Sequence, residues 1–218
     1  MELKLTKYTA GVVQTNIYFL KNTETGECVI LDPGANAAKI IEIAEKQLKA
    51  QPVAVLLTHG HFDHIMAARE VAEHFGVKIY ALEAERELLG DPQMNLSASF
   101  GMEICITKFV PLQDGEHLDF LDLDWQVIAT PGHTGGSCCY YIGNTGAEPI
   151  LFSGDTLFRE SYGRTDFPTG SERLLLAGIQ GKLLVLPENT KVYPGHEGET
   201  TIENEKKYNP AAFLGRLG

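Results

Sequence analysis

The chain has 218 residues, of which 44% are hydrophobic and 22% are charged, as is typical of a globular protein with a sizeable core. Its formal net charge of -11 argues against a nucleic-acid partner, because binding to a phosphate backbone requires a basic surface. No apolar run approaches the length of a membrane span, so no membrane partner is expected either. The length suits one domain, which we expect to cover residues 1–218.

The amino terminus and the cysteines both bear on the cellular compartment. Met1–Ala10 contains no apolar core of the kind that a secretory signal carries. The four cysteines lack C-x-x-C spacing, and we interpret them as free thiols; they are Cys28, Cys105, Cys138 and Cys139. Cys138 and Cys139 are adjacent, so they should face opposite sides of a strand. The sequence therefore predicts a cytoplasmic protein.

The first half of the chain predicts strands and helices in alternation. Apolar residues at helical spacing indicate helices, and short β-rich runs bounded by turn residues indicate strands. The predicted elements are an edge strand at Met1–Lys7, a hairpin of Asn16–Asn22 and Glu27–Leu31, a helix at Ala37–Ala50, a strand at Val53–Leu57, a helix at Ile65–Phe75, a strand at Lys78–Ala81, a helical turn at Glu83–Leu89 and a loop at Gly90–Gly101.

The second half is richer in strands. Its predicted elements are strands at Thr107–Val110, Glu116–Phe120, Trp125–Ala129, Cys138–Ile142 and Ile150–Phe152, a long polar stretch at Asp155–Gly170, a helix at Ser171–Leu186, a strand at Lys191–Tyr193 and a closing helix at Thr200–Tyr208. Strands and helices in both halves predict an α/β fold, in which two sheets pack face to face with helices outside. This is a four-layer αββα sandwich.

A cluster of ligand-type side chains follows the central strand. Val53–Leu57 is apolar without alternation, as expected for a strand that is covered on both faces. Within the next seven residues come His59, His61, Asp63 and His64. A single histidine at a strand end is usually a hydrogen-bonded loop residue, but clustering four such groups without a metal would be electrostatically costly. Imidazoles and a carboxylate without a thiolate favour Zn, Fe or Mn bound for chemistry over a structural Zn site.

Three later strands are each followed by a glycine and a ligand-type side chain. The pairs are Gly132-His133, Gly154-Asp155 and Gly195-His196. Each pair alone is as typical of a turn as of a site, but together they place three more ligand candidates where strands end. Of the seven histidines, His74 and His117 remain outside this pattern, and we interpret them as surface residues.

The order of these residues resembles that of the metallo-β-lactamase superfamily, specifically its glyoxalase II-like hydrolases, over residues 11 to about 200. The resemblance implies an αββα sandwich and two divalent metal ions, with Zn expected and Fe or Mn as alternatives. It implies that one ion is bound by His59, His61 and His133, that the second is bound by Asp63, His64 and His196, and that Asp155 bridges both. Asp32 matches an aspartate that supports the ligands from behind; the alternative is a turn that ends the strand before Pro33.

The same resemblance implies hydrolysis of an acyl thioester such as S-D-lactoylglutathione. A hydroxide shared by two metals would attack the carbonyl, Asp63 would orient it, and a thiol of pKa about 8.5 would leave without a strong acid. Arg164 matches a substrate-contacting lysine, whereas Asp166 replaces a tyrosine of the family pattern. Too few residues follow His196 for the C-terminal helical domain that holds glutathione in full-length glyoxalase II enzymes, so we expect the short single-domain branch.

Other activities share this metal motif. A persulfide dioxygenase would use one Fe at the three-histidine site, and a lactonase would use the same fold. A β-lactamase is disfavoured, because the sequence predicts no secretion signal and Asp155 fits a bridging carboxylate. A nuclease would need a basic surface, and a non-enzymatic scaffold would be expected to lack some ligands. The sequence leaves open the physiological substrate and the oligomeric state.

Overall fold

The computed structural model describes residues 2–214, and its framework is a pair of six-stranded sheets. The first sheet has the order β1-β2-β3-β4-β5-β6, with β1 at its edge as expected. Its strands are β1 (Leu3–Ala10), β2 (Thr15–Asn22), β3 (Glu27–Leu31), β4 (Gln51–Leu56), β5 (Lys78–Leu82) and β6 (Val110–Leu112). β1, β2 and β3 pair antiparallel, whereas β3 to β6 run parallel, so several strands end at the same edge.

The second sheet has the order β14-β13-β10-β9-β8-β7. Its strands are β7 (His117–Phe120), β8 (Leu123–Ala129), β9 (Cys138–Ile142), β10 (Ile150–Gly154), β13 (Lys191–Pro194) and β14 (Thr200–Thr201). Only β10 and β13 pair parallel in this sheet. A separate hairpin of β11 (Leu157–Phe158) and β12 (Ser161–Tyr162) lies in the long polar stretch at Asp155–Gly170, for which no strand was predicted. It escaped prediction because strands of two residues have no readable periodicity.

The helices cover the outer faces of the two sheets. They are α1 (Ala37–Glu42), α2 (Phe62–Ile65), α3 (Ala68–Phe75), α4 (Arg86–Gly90), α5 (Glu172–Gly178) and α6 (Ile202–Tyr208), with wider turns at Ile43–Gln47 and Ile179–Leu183 and 3₁₀ turns at Glu83–Glu85, Ser97–Phe100 and Pro210–Ala212. None of the helices within residues 2–214 is long and apolar enough to cross a membrane.

Three hydrophobic clusters show the layering. The central cluster combines side chains of both sheets, such as Leu56 of β4 with Trp125 of β8 and Phe152 of β10, so the sheets pack face to face. A second cluster joins α1 and α3 to the outer face of the first sheet, and a third joins α5 and α6 to the outer face of the second. Cys138 lies in the central cluster and Cys139 in an outer one, as their adjacency predicted. The predicted four-layer αββα sandwich is confirmed.

Several predicted elements differ from the structure in their bounds, and Met1 of the first predicted strand lies outside the described residues. The closing helix predicted at Thr200–Tyr208 begins only at Ile202, because its first two residues form β14 and pair with β13. The helix predicted at Ile65–Phe75 is interrupted between α2 and α3, because the Ala67 N–H donates to the Pro33 carbonyl at 2.9 Å instead of continuing the helix. The strand predicted at Thr107–Val110 begins only at Val110, which is where pairing with β5 starts, opposite Tyr80.

Candidate metal centre

The candidate site lies where strands of both sheets end. His59 and His61 follow β4, and Asp63 and His64 belong to α2, which begins directly afterwards. The second sheet contributes the other three candidates, which follow its strands β8, β10 and β13; they are His133, Asp155 and His196. The structure therefore brings all seven sequence-predicted residues together from the two sheets. They form three overlapping groups in which the potential ligand atoms lie within 4.8 Å of one another: His59 with His61 and His133, His59 with His64 and Asp155, and Asp63 with His64 and His196.

The three-histidine group presents ring nitrogens to a common point. His61 Nδ1 and His133 Nε2 are 2.9 Å apart. His133 Nδ1 lies 2.8 Å from the carbonyl oxygen of Arg164, so this nitrogen carries the proton and donates it, which leaves a lone pair on Nε2. His59 Nδ1 lies 3.2 Å from Thr58 Oγ1, and its Nε2 has no hydrogen-bond partner in residues 2–214. Such outward hydrogen bonds are typical of histidines that hold a metal.

The second group combines two imidazoles with a carboxylate. His64 Nε2 lies 3.4 Å from Asp63 Oδ2, and His196 Nε2 lies 3.3 Å from the same oxygen. Asp155 stands between the groups, because its Oδ1 is 3.4 Å from His64 Nε2 and its Oδ2 is 3.5 Å from His133 Nε2. One carboxylate thus faces both sets of imidazoles.

Unpartnered buried atoms test whether a cation fits this cluster. Within the described chain, His59 Nε2, His61 Nε2 and Asp155 Oδ1 are buried and lack a hydrogen-bond partner. Leaving a buried polar atom unpaired costs about 1–3 kcal/mol, so three in one cluster call for a ligand. Nitrogen and carboxylate oxygen donors without sulfur suit Zn, Fe or Mn. The residues therefore fit a centre of divalent metal ions.

Burial keeps His59 and His61 neutral. Burial, followed by the proximity of His133, lowers the pKa of His61 to about 3. Burial, and then the neighbouring His64 and His133, hold the pKa of His59 well below its usual range. Neutral imidazoles keep the lone pairs that a metal requires.

In the second group, the carboxylates raise the pKa values of the imidazoles. Burial opposes the charged form of His64, but the charges of Asp63 and Asp155 raise its pKa well above the ordinary value. Burial likewise opposes charge on His196, yet its hydrogen bonds to Asp155 and Asp63 raise its pKa to about 9. Both imidazoles are therefore protonated in the metal-free chain at neutral pH, and binding of a cation would displace their protons.

Asp32 lies behind the cluster rather than merely ending a strand. Its Oδ1 accepts from the Thr58 N–H at 2.8 Å, and its Oδ2 accepts from Thr58 Oγ1 at 2.7 Å. Its Oδ2 also lies 3.0 Å from His64 Nδ1, which fixes the proton on that nitrogen and turns Nε2 toward the centre. The residue adopts a positive φ of 47°, a conformation that aspartate tolerates better than most residues.

Arg164 lies at the rim, and its side chain is already paired. Its Nε and Nη2 donate to the two carboxylate oxygens of Asp166, each at 2.7 Å, and its guanidinium stacks 4.0 Å from the centre of the Phe167 ring. The Phe167 ring in turn lies 5.6 Å from the His61 ring. The predicted anion-binding side chain is thus near the cluster, with an internal carboxylate competing for its charge.

Two residues at the site were missed by the sequence analysis. Thr15 Oγ1 donates to Asp63 Oδ2 at 2.7 Å, and the buried Glu85 accepts from the Gly60 N–H at 2.9 Å. Neither belongs to a recognisable motif, so only the folded contacts reveal them. By contrast, His74 and His117 pair with Glu45 and Asp124 at exposed positions, as expected for surface histidines.

Comparison with known proteins extends these observations. A family model described as the metallo-beta-lactamase superfamily matches residues 10–196. The probable metallo-hydrolase YqgX of Bacillus subtilis is 38% identical over 211 residues, which cover 95% of this chain and 97% of the relative. The hydroxyacylglutathione hydrolase GloC of Haemophilus influenzae is 37% identical over 186 residues, which cover 83% of this chain and 85% of the relative.

Solved structures share the same architecture. The BLEG-1 B3 metallo-beta-lactamase superposes with a TM-score of 0.88 at 40% identity, covering 95% of this chain and 98% of that one. TTHA1623, solved in a di-iron-bound form, gives a TM-score of 0.81 at 33% identity, with coverages of 94% and 98%. ETHE1 from Myxococcus xanthus gives 0.76 at 27% identity, with coverages of 96% and 84%.

Proposed function

The chain belongs to the metallo-β-lactamase superfamily and is a metal-dependent hydrolase, and on that premise we propose that it cleaves acyl thioesters at a binuclear centre. The observation that carries the proposal is the position of Asp155, whose two carboxylate oxygens face His64 and His133 in different ligand groups. A carboxylate in that position suits two cations that work together rather than one.

In this proposal, the seven clustered residues divide into two ligand sets. His59, His61 and His133 would hold one ion, Asp63, His64 and His196 would hold the other, and Asp155 lies between the two sets. Zn is the proposed metal, with Fe or Mn as alternatives; the di-iron form of TTHA1623 supports keeping Fe among them. When bound, such ions supply a nucleophile from water at neutral pH and polarise the acyl carbonyl.

Asp63 is the proposed catalytic carboxylate. Burial would raise the pKa of Asp63, but the charge of His64 and the hydrogen bond with His196 lower it to about 2. The side chain is therefore ionised, and it is held by the hydroxyl of Thr15 at 2.7 Å. In this role it orients the attacking water by accepting its hydrogen bond and takes up the released proton.

Thioesters suit these residues because the leaving group needs little help. A thiol with a pKa of about 8.5 departs as a thiolate, so the reaction requires no strong general acid. The similarity to a protein named hydroxyacylglutathione hydrolase supports S-D-lactoylglutathione or a related hydroxyacyl thioester as the substrate. Arg164 is the proposed contact for an anionic group of that small molecule, once it is released from Asp166.

Two further activities are retained for testing. The similarity to ETHE1 keeps in consideration oxidation of a persulfide at a single Fe held by His59, His61 and His133. The similarity to BLEG-1, which is described as a B3 metallo-beta-lactamase, makes a β-lactam a necessary test substrate, and a lactone belongs in the same set.

The proposal is tested with the purified, metal-loaded protein and a panel of substrates. We expect turnover of S-D-lactoylglutathione, abolished in His59→Ala, because that variant lacks a ligand of the three-histidine group. His117→Ala is the matched control, since His117 is exposed and pairs with Asp124, away from the cluster. Wild-type turnover retained by His59→Ala would contradict the mechanism. Oxygen uptake on glutathione persulfide, or cleavage of the β-lactam or lactone alone, would replace the thioesterase proposal.

A further inference from the structure

Glu85 is a buried carboxylate that the proposed reaction leaves without a role. It ends the 3₁₀ turn after β5, and only 1% of the residue is exposed. Its Oε1 accepts from the Gly60 N–H at 2.9 Å, and its carboxylate also lies beside the Gly136 backbone and the Thr134 side chain. None of these partners is a cation. A buried carboxylate without a counter-ion is costly, so its presence needs a reason.

The partners of Glu85 lie on the two loops that supply the three-histidine group. Gly60 stands between His59 and His61, whereas Thr134 follows His133 directly. A side chain added at Gly136 would overlap the Glu85 carboxylate and backbone, which shows how closely that loop approaches. The Glu85 side chain therefore contacts both the loop after β4 of the first sheet and the loop after β8 of the second sheet.

The loop after β4 is held from both sides. Asp32 accepts from the Thr58 N–H just before His59, and Glu85 accepts from the Gly60 N–H just after it. Gly60 is also pressed against α4, where an added Cβ would lie 2.8 Å from Leu88 Cδ2 and 2.9 Å from Leu89 Cδ2. The contacts of Thr58 and Gly60 with Asp32, Glu85 and α4 therefore fix the positions of His59 and His61.

We propose that Glu85 is a positioning residue for the three-histidine group, whose carboxylate fixes His59 and His61 at the spacing from His133 that a metal ion requires. This inference rests on the proposed metal binding and adds to it a determinant that touches no ligand. Groups of this kind usually alter metal affinity by about 10–100-fold when they are removed.

The test measures metal affinity rather than activity. Demetallated wild type, Glu85→Leu and Glu85→Gln are titrated with Zn against a competing chelator, and with Co(II) while the absorption spectrum is recorded. We expect Glu85→Leu to lose about 10–100-fold in affinity for one of two equivalents, with an altered Co(II) spectrum, and to retain the other. Glu85→Gln should recover part of the loss, because its amide oxygen can still accept from Gly60.

Glu205→Gln is the matched control. Glu205 is also fully buried, and its carboxylate is bonded to Thr200, Asn204 and Asn209, which lie outside both histidine loops. The control should bind both equivalents as wild type does. If both Glu85 variants bind two equivalents with wild-type affinity and spectrum, Glu85 only supports the fold and the inference is overturned, whatever their melting temperatures. If wild type itself binds only one equivalent, the binuclear centre fails, whereas the inference then holds if Glu85→Leu weakens that equivalent and is overturned if it does not.

Discussion

Among single residues, His59 and Asp155 are already in the protonation states that a cation requires. His59 has an unpartnered Nε2, and burial keeps its pKa well below the usual range. Burial opposes the charge of Asp155, but the charge of His64 and the nearby His196 outweigh it and hold the pKa of Asp155 well below the ordinary value, so this carboxylate stays ionised. Neutral imidazoles beside an ionised carboxylate are the protonation states that metal binding requires.

Glu85 makes the stability of the folded chain depend on pH. Burial raises the pKa of Glu85 to about 7, against the hydrogen bonds from Thr134, Gly60 and Gly136. Because this pKa is higher in the folded chain than in the unfolded chain, the protonated Glu85 side chain favours folding. Its contribution to stability is complete below the unfolded pKa of 4.5 and is lost as the pH rises through 7. Wild type should therefore lose stability relative to Glu85→Gln, on the order of 2 to 3 kcal/mol, between pH 5 and pH 8.

Urea unfolding of the demetallated proteins at the two pH values measures this difference. Taking the difference between wild type and Glu85→Gln removes the titration of the metal ligands, which both proteins share. A difference that does not change with pH would mean that the Glu85 carboxyl titrates normally in the folded state.

The residues of the site differ in how far the sequence alone reveals their roles. The seven ligand candidates could be predicted, because four of them lie in one short stretch after a strand and each of the other three follows a strand and a glycine. Glu85 and Thr15 could not, since their site contacts are made across 25 and 48 residues of chain. Such contacts depend on how strands and helices pack, which no local pattern records. Arg164 could be located, but its pairing with Asp166 required the folded loop.

At the scale of elements, the end of β13 is packed too tightly for a side chain. Gly195 precedes His196, and an added Cβ would lie 2.6 Å from His64 Cε1 and would also overlap Asp155 Oδ1. Asn16 of β2 fixes this segment, because its N–H donates to the Gly195 carbonyl at 2.7 Å and its Nδ2 donates to the Pro194 carbonyl at 3.0 Å. The strand end cannot shift without breaking these bonds.

We therefore expect Gly195→Ala to weaken metal binding and turnover by at least about tenfold, since the methyl group displaces His64 or Asp155. Gly198→Ala is its matched control, because a Cβ at Gly198 meets nothing within 4 Å. Metal content after dialysis and kcat are the measurements. Equal metal content and equal kcat for the two variants would show that the segment can shift to make room for the methyl group.

The limits of the element predictions have local causes. Strands with long ladders, such as β2 and β9, were predicted to within a residue because their runs are apolar and bounded by turns. The break between α2 and α3 was missed because it depends on the Pro33 carbonyl, which is distant in sequence from Ala67. The start of β6 depends on its partner strand, since an extended segment becomes a strand only where it is paired.

At the scale of the whole molecule, the candidate centre joins the two sheets. The first sheet and α2 supply His59, His61, Asp63 and His64, and the second sheet supplies the rest. Direct hydrogen bonds cross the same junction: Tyr18 and Tyr140 donate their hydroxyl protons to the carbonyls of Pro194 and Leu57, at 2.7 and 2.8 Å. Ions bound between the halves would stabilise the folded chain, because they bind only when both halves are in place.

The central claim, a binuclear centre, is tested most directly by metal analysis of the purified protein at neutral pH. The claim predicts two equivalents of Zn, Fe or Mn per chain, held by the seven residues around Asp155. A single equivalent that occupies only the three-histidine group, or none after incubation with excess metal, would contradict it.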